Sequence, residues 1–167
     1  REAIGFHVLS HSILARATAP VSITPVTLDH VSAVFKRPIE PLQSTEFSFS
    51  RFLTPWLADY EGWAIFLDPD CVCLADITEL WAHRDDRYAV MCVQHDHQPV
   101  AITKFLGAPQ TRYEKKNWSS MMLMNTARCR VLTPEYVSVA SGLDLHRFRW
   151  LEDDSLIGAI PPKWNHL

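Results

Sequence analysis

The segment Trp63-Ala64-Ile65-Phe66-Leu67-Asp68-Pro69-Asp70 decides the predicted fold, because an apolar run ends in two carboxylates separated by one residue. A continuous apolar run of this length is typical of a strand that is buried on both faces of a sheet. Proline lacks a backbone N–H and turns the chain out of the sheet, so both carboxylates can approach one cation beyond the strand. The sequence therefore predicts a divalent-cation site at the carboxyl end of this strand.

The chemistry of the two aspartates predicts the kind of cation and substrate. Oxygen ligands favour Mg²⁺ or Mn²⁺ over zinc, and a cation held by one or two carboxylates completes its shell with water and substrate phosphates. We therefore predict that Asp68 and Asp70 bind Mg²⁺ or Mn²⁺ and that the substrate carries a diphosphate. In open α/β sheets, ligands bind at the carboxyl ends of the strands. The alternative is a simple turn, in which one aspartate caps backbone amides.

Length and composition limit the class of protein. A chain of 167 residues has room for one domain with a sizeable core, so we predict a single domain over residues 1–167. A formal net charge of −3 argues against a protein that binds nucleic acid by neutralising phosphates. No apolar run is long enough to span a bilayer and no signal peptide is visible, so we expect a cytoplasmic protein without a transmembrane segment. The sequence starts at Arg1 inside a helical pattern and ends without a stop signal, so we expect truncation at both ends.

The cysteines are expected to be free thiols. They lie in or beside apolar runs, where cysteine behaves as a small hydrophobe, and this favours a reducing compartment. The four positions are Cys71, Cys73, Cys92 and Cys129. The alternative is a zinc site that combines the first three with His95, but Cys71 and Cys73 are more closely spaced than structural zinc pairs usually are.

The rest of the chain predicts helices that alternate with strands. Apolar periodicity gives the type of each element, and Pro, Gly and capping residues give its ends. The predicted elements are a helix over 2–17, a strand over 21–26, a helix from Ser44 or Thr45 to about 60, strands over 63–67, 88–93 and 119–124, helices capped by Asp76 and Thr133, and a helical turn near 156–160. The polar segment from His95 to Lys116 predicts a loop of about twenty residues, a length that is usually functional. This order predicts an α/β fold.

The central segment resembles a known family. Phe66-Leu67-Asp68-Pro69-Asp70, followed by Leu74-Ala75-Asp76-Ile77-Thr78-Glu79-Leu80-Trp81, is similar to the Asp-x-Asp segment of nucleotide-sugar glycosyltransferases with the GT-A fold, and most of all to glycosyltransferase family 8 and its bacterial relatives. The resemblance implies a Rossmann-like GT-A sheet, mainly parallel, with helices on both faces. It also implies a Mn²⁺ or Mg²⁺ cofactor, a nucleoside diphosphate sugar donor with UDP as the expected nucleotide, a glycan or other hydroxyl acceptor, and retention at the anomeric carbon.

The resemblance assigns residues to the donor. Arg51 stands where the family carries an arginine that contacts the donor, and residues 118–125 resemble the strand that lines the sugar pocket. A lysine before that strand is a second candidate to neutralise phosphate. The donor-binding residues implied in this way are Arg51, Asp68, Lys116, Ser119 and Ser120.

The resemblance also assigns the catalytic residues. Glu152-Asp153-Asp154, ahead of Trp164-Asn165, is similar to the acidic Asp-Gln-Asp helix start that lies beside the reacting sugar. Because Glu152-Asp153 stands where the family has Asp-Gln, the carboxylate that faces the anomeric carbon is Asp153 or Glu152, with Asp154 beside them. Family members carry a further metal-binding histidine beyond the Trp-Asn element, for which His166 is a candidate.

Two other functions fit parts of the pattern. A haloacid-dehalogenase-type phosphatase would use Asp68 as the nucleophile and form an aspartyl-phosphate. Its motif normally follows the first strand, and the Ser or Thr expected after the second strand is replaced by Val93-Gln94. The other alternative is a non-catalytic glycan- or partner-binding module, or an inactive fragment, because residues before Arg1 would supply the family's nucleotide-binding strand.

Overall fold

The computed structural model describes residues 2–38, 48–96 and 114–166, which form an α/β fold. The helices are Glu2–Leu14 (α1), Leu28–Val31 (α2), Thr54–Leu57 (α3), Ile77–Trp81 (α4), Pro134–Val139 (α5) and Gly142–His146 (α6). The strands are Trp63–Leu67 (β1), Val90–Cys92 (β2), Met121–Asn125 (β3) and Ile157–Ala159 (β4). Single turns of 3₁₀ helix at Ser50–Leu53, Trp118–Ser120 and Asp154–Leu156 matter for the site.

The strands form one mixed sheet in the order β1-β3-β2-β4. β3 pairs antiparallel with both β1 and β2, whereas β2 and β4 pair in parallel. The described residues therefore do not show the mainly parallel sheet that the resemblance implied, because β3 runs against both of its neighbours. The same pairing brings the carboxyl ends of β1, β2 and β4 to one edge of the sheet, next to the start of β3.

β2 and β3 are buried on both faces, as their continuous apolar runs predicted. β1, for which a buried strand was also predicted, is half-buried along its whole length, because it lies at the edge of the sheet. β3 is buried along its whole length, and its side chains alternate between the two faces. Met122 and Met124 pack in a cluster with residues of α5 and α6, whereas Met121 and Leu123 pack in a second cluster with residues of α1 and α4. The sheet is therefore the middle layer of the described fold.

The two predicted helix caps are confirmed. Asp76 precedes α4, and its Oδ1 accepts a hydrogen bond from the Thr78 backbone N–H at 2.9 Å. Thr133 precedes α5, and its Oγ1 accepts from the Tyr136 N–H at 3.2 Å. Both caps satisfy a backbone donor that the first turn of a helix leaves unpaired.

Two predictions for the first part of the chain are wrong. Residues 21–26 form no strand. Pro20 precedes this segment and Pro25 lies within it, and neither has the N–H group with which a ladder would continue. The described part of the predicted helix over 44–60 is the 3₁₀ turn Ser50–Leu53 and the single turn of α3, since Pro55 cannot bond back to residue 51. The predicted cap at Ser44 or Thr45 lies outside the described residues.

The predictions for the last third of the chain are right in part. The helix that begins at Thr133 ends at Val139, and Ser141 then caps α6 by accepting from the Asp144 N–H at 3.0 Å. The helical turn predicted near residues 156–160 is instead β4, preceded by one 3₁₀ turn. Pairing with β2 therefore overrides the local helical pattern.

All four cysteines are free thiols, as predicted. Cys92 and Cys129 are buried, and burial raises the pKa of each thiol to about 12. Cys71 and Cys73, on either side of Val72, are half-buried. Among the described helices, none is long and apolar enough to cross a membrane.

Thr133→Ala should lower the free energy of unfolding by about 1 kcal/mol, because the Tyr136 N–H loses its acceptor at the start of α5. Thr133→Ser keeps an acceptor at this position and is the matched control. Urea denaturation of the two variants and the wild type measures the difference. Equal losses in Ala and Ser would show that the cap contributes nothing.

The Asp76 cap should make stability depend on pH. A hydrogen bond from Thr18 and a second from the Thr78 backbone N–H lower the pKa of Asp76 below 3.8, so its contribution is present above the unfolded pKa and is lost as pH falls through the folded one. The wild type should therefore be more stable than Asp76→Asn near neutral pH, and this advantage should begin to shrink as pH falls below about 4. Urea denaturation between pH 3 and pH 7 checks this, and a constant difference would contradict it.

Candidate functional site

The candidate site lies at the sheet edge where β1, β2 and β4 end. The Asp68 N–H donates to the Ser120 carbonyl at 2.9 Å, which ties the end of β1 to the start of β3. The Asn165 side-chain amide, beyond β4, donates to Ser120 Oγ at 2.7 Å. Trp118 Nε1 donates to the His95 carbonyl, beyond β2, at 3.0 Å. Four chain segments that are distant in sequence thus meet around Asp68.

Asp68 forms a bidentate ion pair with Arg51. Arg51 Nη2 lies 2.9 Å from Asp68 Oδ1, and Arg51 Nη1 donates to Asp68 Oδ2 at 3.1 Å. The Asp68 side chain is 18% exposed and that of Arg51 is 9% exposed, so water screens the pair only weakly. Planar, two-point contact of this kind orients a carboxylate as well as neutralising it.

Arg51 also bonds to two backbone carbonyls. Its Nε donates to the Ser48 carbonyl at 2.9 Å, and its Nη1 donates to the Ser119 carbonyl at 2.8 Å. The guanidinium carbon lies 5.1 Å from the ring centroid of Phe66 in β1. The resemblance assigned Arg51 to the sugar donor. The structure places it among protein groups, where it joins the 3₁₀ turn, the end of β1 and the start of β3.

Asp70 differs from Asp68 in being exposed. Both carboxylates act on the neighbouring Cys71, whose pKa is raised to about 11, first by burial and then by the charges of Asp70 and Asp68. Two negative charges therefore converge on this turn, although their environments differ. The carboxylate of Asp70 faces solvent, whereas that of Asp68 lies against the guanidinium of Arg51.

These residues fit a hard divalent cation with few protein ligands. Within residues 2–38, 48–96 and 114–166, no group of three or more His, Cys, Asp or Glu side chains is arranged to hold a metal, and this includes the Cys71, Cys73, Cys92 and His95 set. Two carboxylates at a strand end suit Mg²⁺ or Mn²⁺, which readily keep water and phosphate in their coordination shell. The candidate ligand His166 is exposed.

The predicted donor-binding residues Ser119 and Ser120 lie at this edge of the sheet, and Ser119 has a hydrogen-bond partner that the sequence did not indicate. Ser119 Oγ lies 2.8 Å from Nδ1 of His146 in α6, and the histidine ring packs against Phe49 and Phe52, 5.7 and 5.4 Å between ring centroids. Ser120 Oγ donates to the Asn117 carbonyl at 2.7 Å. His146 was missed because the pair is 27 residues apart in sequence.

Lys115, in the segment before β3, contacts the acidic segment 152–154. Lys115 Nζ bonds to Asp154 Oδ1 at 2.5 Å and to the Arg147 carbonyl at 3.0 Å. Lys115 and Asn117 both have left-handed backbone, with φ of 60° and 68°, a conformation that non-glycine residues adopt only under constraint. Lys116, which was assigned to the donor, is buried. Residues 97–113 of the predicted loop lie outside the described residues.

The predicted catalytic residues Glu152, Asp153 and Asp154 are exposed. Asp153 Oδ1 accepts from the Ser155 N–H at 2.7 Å, and hydrogen bonding to Ser155 lowers the pKa of Asp153. Asp153 is therefore a carboxylate at neutral pH. The ion pair with Lys115 fixes this acidic segment against residues that lead into β3.

A cavity of about 1120 Å³ lies beside β1, between α1 and residues 19–29. Its walls are mainly apolar and include Phe6, Ile23 and Ile65. Pro69 reaches this cavity, but among the described residues neither Asp68 nor Asp70 lines it. The cavity and the carboxylates of Asp68 and Asp70 are thus separate features near the end of β1.

Comparison with known proteins gives one similar sequence. The chain is 51% identical over 171 residues to a protein of Arabidopsis thaliana named Protein CDI. The match covers 100% of this chain and 66% of the relative, so the chain spans just under two thirds of the relative's length. No protein-family model matches the chain, and no solved structure matches it significantly.

Replacing Arg51 should destabilise the fold through Asp68. In Arg51→Met the weakly exposed carboxylate loses its counter-ion, and breaking such a pair from one side costs about 3 kcal/mol. Adding Asp68→Asn removes the charge, so the double variant should be more stable than Arg51→Met alone. Urea denaturation measures this coupling. A double variant no more stable than Arg51→Met would contradict the assigned ion pair.

Proposed function

We propose that this protein is a metal-dependent glycosyltransferase that moves a sugar from a nucleoside diphosphate sugar, with UDP as the expected nucleotide, to a hydroxyl acceptor, with retention at the anomeric carbon. The observation that carries the proposal is the pair Asp68 and Asp70 at the carboxyl end of β1, one ion-paired and the other exposed. The GT-A form of the sheet is part of the proposal, and the described α/β layers are compatible with it.

Asp70 is the principal metal ligand in this proposal, and Asp68 assists at the metal or at the ribose. Bound Mn²⁺ or Mg²⁺ supplies Lewis-acid stabilisation of the negative charge that develops on the leaving nucleoside diphosphate. Arg51 orients Asp68 and neutralises its charge in part through its two-point contact. Its direct contact with the donor, which the resemblance implied, remains a secondary part of the proposal.

The groups around the two aspartates support a donor site. Ser119 and Ser120 end the 3₁₀ turn that precedes β3, and the Ser120 carbonyl accepts from the Asp68 N–H, so they border any diphosphate bound at the strand end. Lys116 precedes them and is buried, so its contact with the donor stays a prediction from the resemblance. A serine oriented by His146 and a serine bonded to Asn165 are fixed rather than rotating groups. Fixed polar groups lose less entropy when a ligand binds.

The acidic segment supplies the catalytic carboxylates. Asp153 is the first candidate, since hydrogen bonding lowers its pKa and keeps it charged. A carboxylate at this place would stabilise the oxocarbenium-like centre or orient the acceptor hydroxyl. Glu152 is the alternative in the same role, and Asp154 anchors the segment through Lys115. The four free cysteines favour a reducing compartment, and we assign the protein to the cytoplasm on that ground.

The phosphatase alternative is disfavoured by the geometry of Asp68. A nucleophilic aspartate needs an oxygen that is free to attack phosphorus, whereas both Asp68 oxygens lie within 3.1 Å of an Arg51 nitrogen. The same contact limits Asp68 to an assisting role at a metal, which is why Asp70 is the principal ligand in the proposal. The non-catalytic module is favoured by one observation, that the described residues contain no group of three or more His, Cys, Asp or Glu side chains that could hold a metal. The binding experiment below separates these functions.

Isothermal titration should detect UDP binding that requires Mn²⁺ in the wild type. Asp70→Asn should weaken this binding at least tenfold, because the exposed ligand loses its charge. Asp29→Asn, at an exposed aspartate of α2, is the matched control and should bind as the wild type does.

Three outcomes would contradict the proposal. Equal binding by Asp70→Asn would remove Asp70 from the site. Phosphatase turnover without nucleotide binding would favour the aspartyl-phosphate mechanism. A wild type that binds neither UDP nor another nucleoside diphosphate would favour the non-catalytic module.

A further inference from the structure

Helix α1 contacts the Asp68-Pro69-Asp70 turn directly through backbone atoms at Gly5. A Cβ placed on Gly5 would lie 2.7 Å from the Pro69 carbonyl oxygen, 3.3 Å from the Pro69 carbonyl carbon and 3.8 Å from the Asp70 nitrogen. The first distance is too short for any side chain, and the atoms it meets are backbone atoms that cannot swing aside. A glycine inside a helix costs about 0.5–1 kcal/mol relative to alanine. The close approach gives a physical reason for a glycine at this helical position.

A second contact fixes the same helix just beyond the turn. Ser12 is 5% exposed, and its Oγ accepts from the Cys73 N–H at 2.9 Å and donates to the Leu9 carbonyl at 2.7 Å. Residues 5 and 12 are seven apart, which places them on one face of the helix. The two contacts therefore bracket Asp70 in the sequence, with Pro69 on one side and Cys73 on the other.

The body of α1 is anchored in the core. Leu9 and Ile13 lie between and beyond the two contacts and are 7% and 5% exposed. They pack with Leu123 of β3, so α1 cannot move away from the sheet without losing apolar burial. Helix α1 is therefore held in place by the core. Its contacts with residues 69 and 73 fix the position of the Asp68-Pro69-Asp70 turn.

We propose that Gly5 and Ser12 are positioning residues for Asp70, which hold the backbone of residues 69–73 where the Asp70 carboxylate can bind a divalent cation. This inference rests on the proposed function for its cation. Neither residue touches the cation or the donor. Arg51 orients the side chain of Asp68, and α1 fixes the backbone that carries Asp70.

The test uses Gly5→Ala, Ser12→Ala and the control Gly62→Ala. A Cβ on Gly62 meets no atom within 4 Å, and its φ of +67° disfavours alanine, so this variant loses stability without touching the turn. Two quantities are measured in the protein of 167 residues. One is Mn²⁺ affinity in the presence of UDP, and the other is the labelling rate of each cysteine by a thiol reagent under native conditions, followed by mass spectrometry.

The cysteines make the labelling specific. Cys71 and Cys73 are half-buried at the turn, whereas Cys92 and Cys129 are buried in the core and report global unfolding. In Gly5→Ala we expect several-fold faster labelling of Cys71 and Cys73 with Cys92 and Cys129 still protected, and Mn²⁺ affinity at least about tenfold weaker. Ser12→Ala should shift both quantities in the same direction by less, and it carries the test if Gly5→Ala does not fold.

The outcomes that overturn the inference are distinct from those that overturn the proposed function. Wild-type labelling and wild-type Mn²⁺ affinity in Gly5→Ala would overturn it, as would effects equal to those of Gly62→Ala at matched stability. A wild-type protein that binds neither Mn²⁺ nor UDP overturns the proposed function and the cation part of this inference. The labelling of Cys71 and Cys73 then still decides whether α1 positions the turn.

Discussion

The ion pair between Arg51 and Asp68 is the interaction on which the rest of the candidate site depends. Taking both charges out of water is unfavourable, and only good geometry with further hydrogen bonds offsets that desolvation. The two-point contact supplies the geometry, and the carbonyls of Ser48 and Ser119 accept two further guanidinium protons. Because these partners lie in three separate segments, one side chain fixes the end of β1, the start of β3 and the turn before α3.

The pair also makes the two aspartates of the motif unequal. Asp68 is oriented from within the protein, whereas Asp70 is exposed and is placed by the backbone of the turn. A cation at this edge would therefore meet one carboxylate that is already neutralised in part and one that is not. Such a site suits an ion that arrives with phosphate ligands, since protein groups alone leave most of its coordination shell to be filled.

The sequence predicted the features that depend on neighbouring residues. The run Trp63–Leu67 gave β1, and the caps at Asp76 and Thr133 were recognisable because capping involves residues two or three positions apart. The direction of β3 was not predictable, because an apolar run specifies burial and leaves the pairing partner open. Residues 157–159 became a strand for the same reason, since β2 supplies their partner.

The long-range contacts in the site could not be predicted from local sequence patterns. Arg51 and Asp68 are 17 residues apart, and Ser119 and His146 are 27 apart, so neither pairing shows in any periodicity. Gly5 stood in an ordinary helical pattern, and only the approach of Pro69 explains it. The Asp68-Pro69-Asp70 motif could be located from the sequence. The contacts from Arg51 and from α1 that hold its two carboxylates could not.

The central claim is that Asp70 binds the cation while Arg51 retains Asp68. A crystal structure of the protein with Mg²⁺ and UDP tests it most directly. The account predicts an ion at coordination distance, about 2.1 Å for Mg²⁺, from an Asp70 oxygen and from diphosphate oxygens, with the Arg51–Asp68 contact intact. An ion bound away from Asp70, or UDP bound without any cation at this edge, would contradict it.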